Sequence, residues 1–132
     1  GGEPSGAWIF PEDTLCPDGP LAAAKLVELV SEAGPLGEQV ASIERYPIRR
    51  TTFEVHEKEA VMARISAAVD DDYEDVDTLD GVRVDLGDSW FLVRASGTEP
   101  RIRVTAEARD PERADAVFES ACELVETQAE GV

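Results

Sequence analysis

Residues 94–103 read RASGTEPRIR and bring three arginines, two hydroxyls and a glycine into one short stretch. A phosphate dianion requires charge-assisted donors in a fixed geometry. This stretch offers the Arg94 guanidinium, the hydroxyls of Ser96 and Thr98, and backbone N–H groups that Gly97 leaves open to close approach. Arg101 and Arg103 lie two apart, so in a strand they point to one face, and at least one can close over a ligand. Gly97 also allows the turn a positive φ. Taken alone, the pattern equally describes an arginine-rich turn facing solvent. Contrast favours an anion site. Three arginines against Glu99 give a local charge of +2 in a chain of net −17, leaving −19 on the other residues. An anionic ligand must be captured against that long-range repulsion, and a compact cationic nest does so. Two arginines and several neutral donors would contribute on the order of 4–8 kcal/mol before ordering costs, taking ~1.5–3 kcal/mol per charged hydrogen bond.

The elements that must position this stretch can be read from periodicity. Alternating Val82, Val84 and Leu86, a Gly87-Asp88 turn, and a return from Trp90 to Val93 predict a hairpin. After the loop at 95–100, Ile102, Val104, Ala106 and Ala108 alternate again. Upstream, 49–55 reads as a strand, and a helix over about 57–69 buries Val61, Met62, Ile65, Ala68 and Val69. Downstream, Asp110 caps and Pro111 opens a helix whose stripe is Ala114, Val117, Phe118, Ala121, Cys122 and Val125. The acidic run 70–80 reads as a solvated loop. Residues 48–132 therefore predict an α+β domain, an antiparallel four-stranded sheet with two helices on one face in the order β-α-β-β-β-α. Residues 1–47 differ: an apolar strand at Trp8, Ile9 and Phe10, a helix from Asp18-Gly19-Pro20 to Gly34-Pro35, and a marginal helix before Tyr46-Pro47. A lone strand and helix cannot bury their apolar faces. This segment either docks on the second domain or is a strand-helix remnant of an α/β domain completed elsewhere.

Charge excludes several partners. With 29 acidic and 12 basic side chains, duplex nucleic acid would be repelled. No apolar run approaches the ~20 residues of a membrane helix, and the first residues lack the basic start of a signal peptide, so a cytoplasmic protein is expected. Lysine occurs twice and arginine ten times; this carboxylate-rich, lysine-poor balance is like that of halophilic proteins, in which salt shortens the Debye length to ~3 Å. Cys16 and Cys122 stand in no metal or redox spacing and read as two reduced, buried thiols. The run 70–77 lacks the glycine and glutamate of a calcium loop, so no metal site is expected in this chain. Glu107 reads as the ion-pair partner of an arginine on the polar strand face, and Trp90 as packing.

RASGTEPRIRV resembles the phosphate-binding loop in the last domain of the α-D-phosphohexomutase family, and the opening GGEPSG is similar to that family's sugar-recognition loop. The two motifs stand in the family's order, and the continuation GAWIFPEDTLCPDGPLAAAKL resembles its archaeal branch. The resemblance implies that 1–47 is the C-terminal part of a third, sugar-recognition α/β domain and 48–132 a fourth, phosphate-binding domain. It implies that Arg94, Ser96, Gly97, Thr98 and Arg103 hold the phosphate of a hexose phosphate and that Glu3 and Ser5 read its hydroxyls. Ala7 stands where many relatives have histidine, and Pro17 where they often have arginine. The family's phosphorylated serine and its Mg2+ loop belong to upstream domains, so no catalytic residue, cofactor or metal is expected here, and the chain alone is expected to be inactive. Two other readings stay open: a stand-alone sugar-phosphate or phosphate binding module, and a structural domain whose arginines pair with their own surface acids.

Overall fold

A computed structural model describes residues 1–2 and 5–130. The chain divides into two compact units, Gly1–Glu44 and Arg45–Val132.

In the first unit, helix α1 (Gly19–Ala33) begins where the Asp18 carboxylate accepts the Leu21 N–H at 2.9 Å, with Pro20 in the first turn. Gly34, at φ +88°, ends it by donating its N–H to the Val30 carbonyl at 3.0 Å. Helix α2 (Leu36–Ala41) follows. The strand expected at Trp8–Phe10 does not form; an isolated bridge between Gly2 and Trp8 stands in its place. The physical reason is the one that made the segment suspect: among the described residues of this unit no neighbouring strand supplies the ladder an extended apolar triplet needs. No residue of α1 is buried, and Trp8, Phe10, Leu26 and Leu29 line an open apolar groove. Cys16 is exposed, not buried as its apolar neighbours suggested, because Leu15 beside it also lies in solvent.

The second unit runs β1 (Ile48–Glu54), α3 (Lys58–Asp72), β2 (Val76–Asp77), β3 (Val82–Asp85), β4 (Ser89–Ala95), β5 (Arg101–Ala108) and α4 (Pro111–Glu130). The sheet order is β1-β5-β4-β3-β2, antiparallel throughout. Period-two alternation sends Val84, Phe91, Val93, Ile102, Val104 and Ala106 to one face, where they meet Val61, Ile65 and Val69 of α3 and Val117, Ala121 and Val125 of α4. Each of the valines, isoleucines and Phe91 among them contributes about 1.5–3 kcal/mol by leaving water. Asp110 caps α4 as the sequence predicts, accepting the Arg113 N–H at 2.9 Å. Burial, then the carboxylates of Glu126 and Glu119, push the Cys122 thiol on this helix above its ordinary value.

The sheet has five strands rather than four. The acidic run is not one loop: 70–72 complete α3, and Val76–Asp77 pair with Val84 and Arg83. Two residues inside the run outweigh its charge. Tyr73 packs edge-on against Phe91, ring centroids 5.8 Å apart, and half-buried Val76 joins the same core. Glu107, expected to pair with an arginine opposite it, faces an indole instead. It lies in register with Trp90, whose indole N–H donates to it at 3.2 Å, while the Arg83 guanidinium stacks 4.8 Å from the Trp90 ring.

Candidate functional site: an arginine-lined turn between two central strands

Because both helices cover one face of the sheet, side chains in the alternate parity emerge on the other. Arg94 and Arg103 are direct cross-strand partners there, with Thr52 beside Arg103 in the same row. Arg101, opposite Glu54, follows one row on. The two strands thus bring three arginines to the mouth of the 96–100 turn; the spacing predicted the shared face of Arg101 and Arg103, and the β4–β5 register adds Arg94.

The turn is fixed from within. The Ser96 N–H donates to the Arg101 carbonyl at 2.8 Å, the Arg101 N–H to Glu99 at 2.8 Å, and the Ser96 hydroxyl oxygen accepts the Glu99 N–H at 3.3 Å. Ser96 is only 5% exposed, so its hydroxyl serves the turn while retaining a hydrogen to donate. Gly97 and Thr98 are exposed, and among the described residues no hydrogen bond engages their backbone N–H groups. Gly97 departs from expectation: the turn closes without a positive φ at this residue, and a Cβ added there would meet nothing within 4 Å. Neither backbone conformation nor packing demands a glycine here.

Each arginine faces a carboxylate. Arg94 Nη1 lies 2.8 Å from Asp80 Oδ2, while Arg101 and Arg103 approach the two oxygens of Glu99 at 3.3 and 3.7 Å. These pairs are open to water; the side chains of Arg94 and Asp80 are 43% and 72% exposed. Exposed pairs are worth about 0.2–1 kcal/mol. A doubly charged oxyanion making charge-assisted bonds at ~1.5–3 kcal/mol each can displace them.

Two features escaped sequence reasoning. Lys58, the first residue of α3, donates from Nζ to the carbonyls of Ser96 at 2.5 Å and Glu99 at 3.1 Å. Gly81, at φ +94°, lets the chain pass close under Arg94: a Cβ there would stand 2.4 Å from the Val93 carbonyl oxygen and 3.0 Å from the Arg94 Cβ. The pattern of lysine scarcity was the one available hint of the first; a glycine ending an acidic run was the hint of the second. Of the expected sugar contacts, Ser5 occupies an exposed turn of the first unit, and Glu3 lies outside the described residues. No three His, Cys, Asp or Glu side chains converge as a metal site among the described residues.

Residues 50–124 match the family model for the phosphoglucomutase/phosphomannomutase C-terminal domain, and residues 1–46 match that for alpha/beta/alpha domain III of the same family. A probable phosphoglucosamine mutase of Methanopyrus kandleri is 47% identical over 135 residues, covering 100% of this chain and 30% of the relative. That of Methanocella arvoryzae is 47% identical over 127 residues, covering 95% and 29%. A crystal structure of a phosphoglucomutase/phosphomannomutase family protein from Burkholderia thailandensis superposes with a TM-score of 0.79 at 21% identity, over 96% of this chain and 28% of that one, and so shares the fold. The chain spans about 30% of the length of the curated relatives it matches.

Proposed function

The chain belongs to the phosphoglucomutase/phosphomannomutase family, and from that premise we propose that it is the substrate-holding C-terminal part of a phosphohexomutase that interconverts hexose 1-phosphate and 6-phosphate through a bisphosphorylated sugar. Residues 1–47 then belong to the third domain and 48–132 to the fourth. The observation that carries the reading is Arg94 in register with Arg103 beside a Ser-Gly-Thr turn whose glycine has no internal reason to be one. In this role Arg94 and Arg103 clamp the phosphate that is not being transferred, Thr98 and the Ser96 hydroxyl donate to its oxygens, and the Gly97 N–H completes the set. Glu3 and Ser5 read sugar hydroxyls. A loop that recognises phosphate alone can hold either end of the bisphosphate after it turns over. The names of the relatives make glucosamine phosphate the first sugar to test.

Phosphoryl transfer itself needs a nucleophile and charge stabilisation. The described residues do not fit Mg2+, so no step of this proposal runs through it; the phosphoserine and metal are assigned to domains upstream. A cytoplasmic location is part of the same proposal. Among the described residues no helix is long and apolar enough to cross a membrane.

The test is a titration of the 15N-labelled chain with glucosamine 6-phosphate and with inorganic phosphate. Amide shifts confined to 94–103 are expected; silence there would overturn the reading in favour of a structural role for the arginines. The pairing of those arginines with Asp80 and Glu99 is what favours the structural reading, and one substitution separates the two. Glu99→Gln removes the carboxylate that competes for Arg101 and Arg103, so phosphate should bind about 2–5-fold more tightly, corresponding to a released exposed pair of ~0.5–1 kcal/mol. If the arginines serve only the fold, the variant loses stability and gains no affinity. Gly97→Ala complements it. With open space at the Cβ position and no positive φ, stability should change by less than about 0.5 kcal/mol, whereas the methyl group crowds the approach to the N–H and should weaken phosphate binding roughly tenfold, or about 1.4 kcal/mol. Equal affinity would remove the glycine from the site.

A further inference from the structure

Resting on the phosphate-loop reading, the geometry points to Lys58 as the positioning residue that aims the backbone of the turn at the anion. Its ammonium bonds two carbonyls, those of Ser96 and Glu99, 38 and 41 residues away in sequence. A trans peptide unit is planar, with its C=O and the following N–H on opposite sides. Holding the Ser96 carbonyl toward Lys58 therefore turns the Gly97 N–H away from it. Lys58 begins α3, and α3 packs on the core face of the sheet, while Arg94 and Arg103 share the other face. The freed N–H is thereby presented on the side that carries the arginines.

Its place on the helix does not favour a lysine. A cation at the first position of a helix opposes the helix dipole. Its pair with Glu59 is loose, at 3.9 Å, and the Glu59 side chain is largely in solvent. Yet the Lys58 side chain is only 16% exposed, in a chain that has two lysines against ten arginines. A tetrahedral ammonium can reach two carbonyls that diverge from one turn; the planar fork of a guanidinium suits a single flat acceptor better. The bond also anchors the turn to the helix layer, so the donors are held in place before the ligand arrives, which lowers the ordering cost of binding.

Lys58→Met, which keeps the apolar stem, and Lys58→Arg are to be titrated with inorganic phosphate beside the wild-type chain, following the Gly97 and Thr98 amides together with thermal melting. Lys58→Met should bind phosphate about tenfold more weakly, with the Gly97 amide shifted already in the free protein, and Lys58→Arg should recover part of the affinity. A purely structural lysine would lower the melting temperature and leave the Gly97 shift and the phosphate affinity where they were, and that result would overturn the inference. Should Lys58→Met not fold, the 15Nζ signal of Lys58 in the wild-type chain decides: it should move on phosphate addition with the same midpoint as Gly97, and a stationary signal refutes the coupling. Wild-type silence at 94–103 would instead reject the phosphate reading, and the inference with it. Wild-type shifts with unchanged affinity in Lys58→Met would reject the role of Lys58 alone.

Discussion

Arg94→Ala is expected to weaken phosphate binding by roughly 10–150-fold while leaving the fold intact. The magnitude comes from one lost charge-assisted contact, ~1.5–3 kcal/mol, converted at about 1.4 kcal/mol per factor of ten. Stability should hold because the guanidinium is half in solvent, and its bond to Asp80 is an exposed pair worth under about 1 kcal/mol; the carboxylate left behind rehydrates freely. The residue's backbone is secured independently by its place in β4, between β3 and β5. Affinity is read by titration and stability by melting, on the same preparation. On the proposed function, the same change in a full-length enzyme should raise the Michaelis constant for the hexose phosphate. An affinity within a factor of two of wild type, at unchanged melting temperature, would mean that Arg94 only pairs with Asp80.

The sequence discloses chemistry more readily than pairing. The register that sets Arg94 opposite Arg103 emerges only from the pairing of β4 with β5, whereas Arg101 and Arg103 were legible as sharing a face because strand side chains alternate. The core of the second unit was legible for the same reason, since Val82, Val84, Ile102, Val104 and Ala106 repeat with period two and Ala114, Val117, Ala121 and Val125 with the helical period. Strand β2 was not. Two residues, one of them Asp77, sit in a run of carboxylates, and only the packing of Tyr73 and Val76 on a core assembled from distant segments makes that run turn back on itself. Lys58 was hidden more deeply, because its partners are backbone carbonyls, which every residue possesses and no sequence marks. The Trp8–Phe10 triplet failed in the opposite sense: its local preference for extended structure was read correctly as apolar, but a strand exists only with a neighbour. Of the two reasons read for Gly97, the positive φ is not used, and the open approach to its N–H is the one on which the proposed site relies.

Gly81→Ala should have the largest effect on stability, a loss of about 2–4 kcal/mol, or roughly 10–25 °C in melting temperature for a domain of this size. Two costs combine. At φ +94° an L side chain is strained, by ~1–2 kcal/mol. The added Cβ would also stand 2.4 Å from the carbonyl oxygen of Val93, so backbone has to move. That backbone has little freedom, because Val93 is laddered to Val82 on one side and Val104 on the other and its side chain is fully buried. Relief must then come from shifting the segment at 80–81, which carries Asp80, or from tilting β4 at Arg94, whose Cβ would be 3.0 Å away. Either movement alters the Arg94 seat, so phosphate affinity should fall as well, several-fold, even at temperatures where the variant is fully folded. Melting followed by titration below the transition separates the two losses. Gly97→Ala provides the opposite sign pattern, with unchanged stability and lost affinity, because its glycine keeps space for a ligand where that of Gly81 keeps space for a strand. A Gly81→Ala variant as stable as wild type would show that the chain can pass Val93 by another route, and Gly81 would then have no part in holding Arg94 in place.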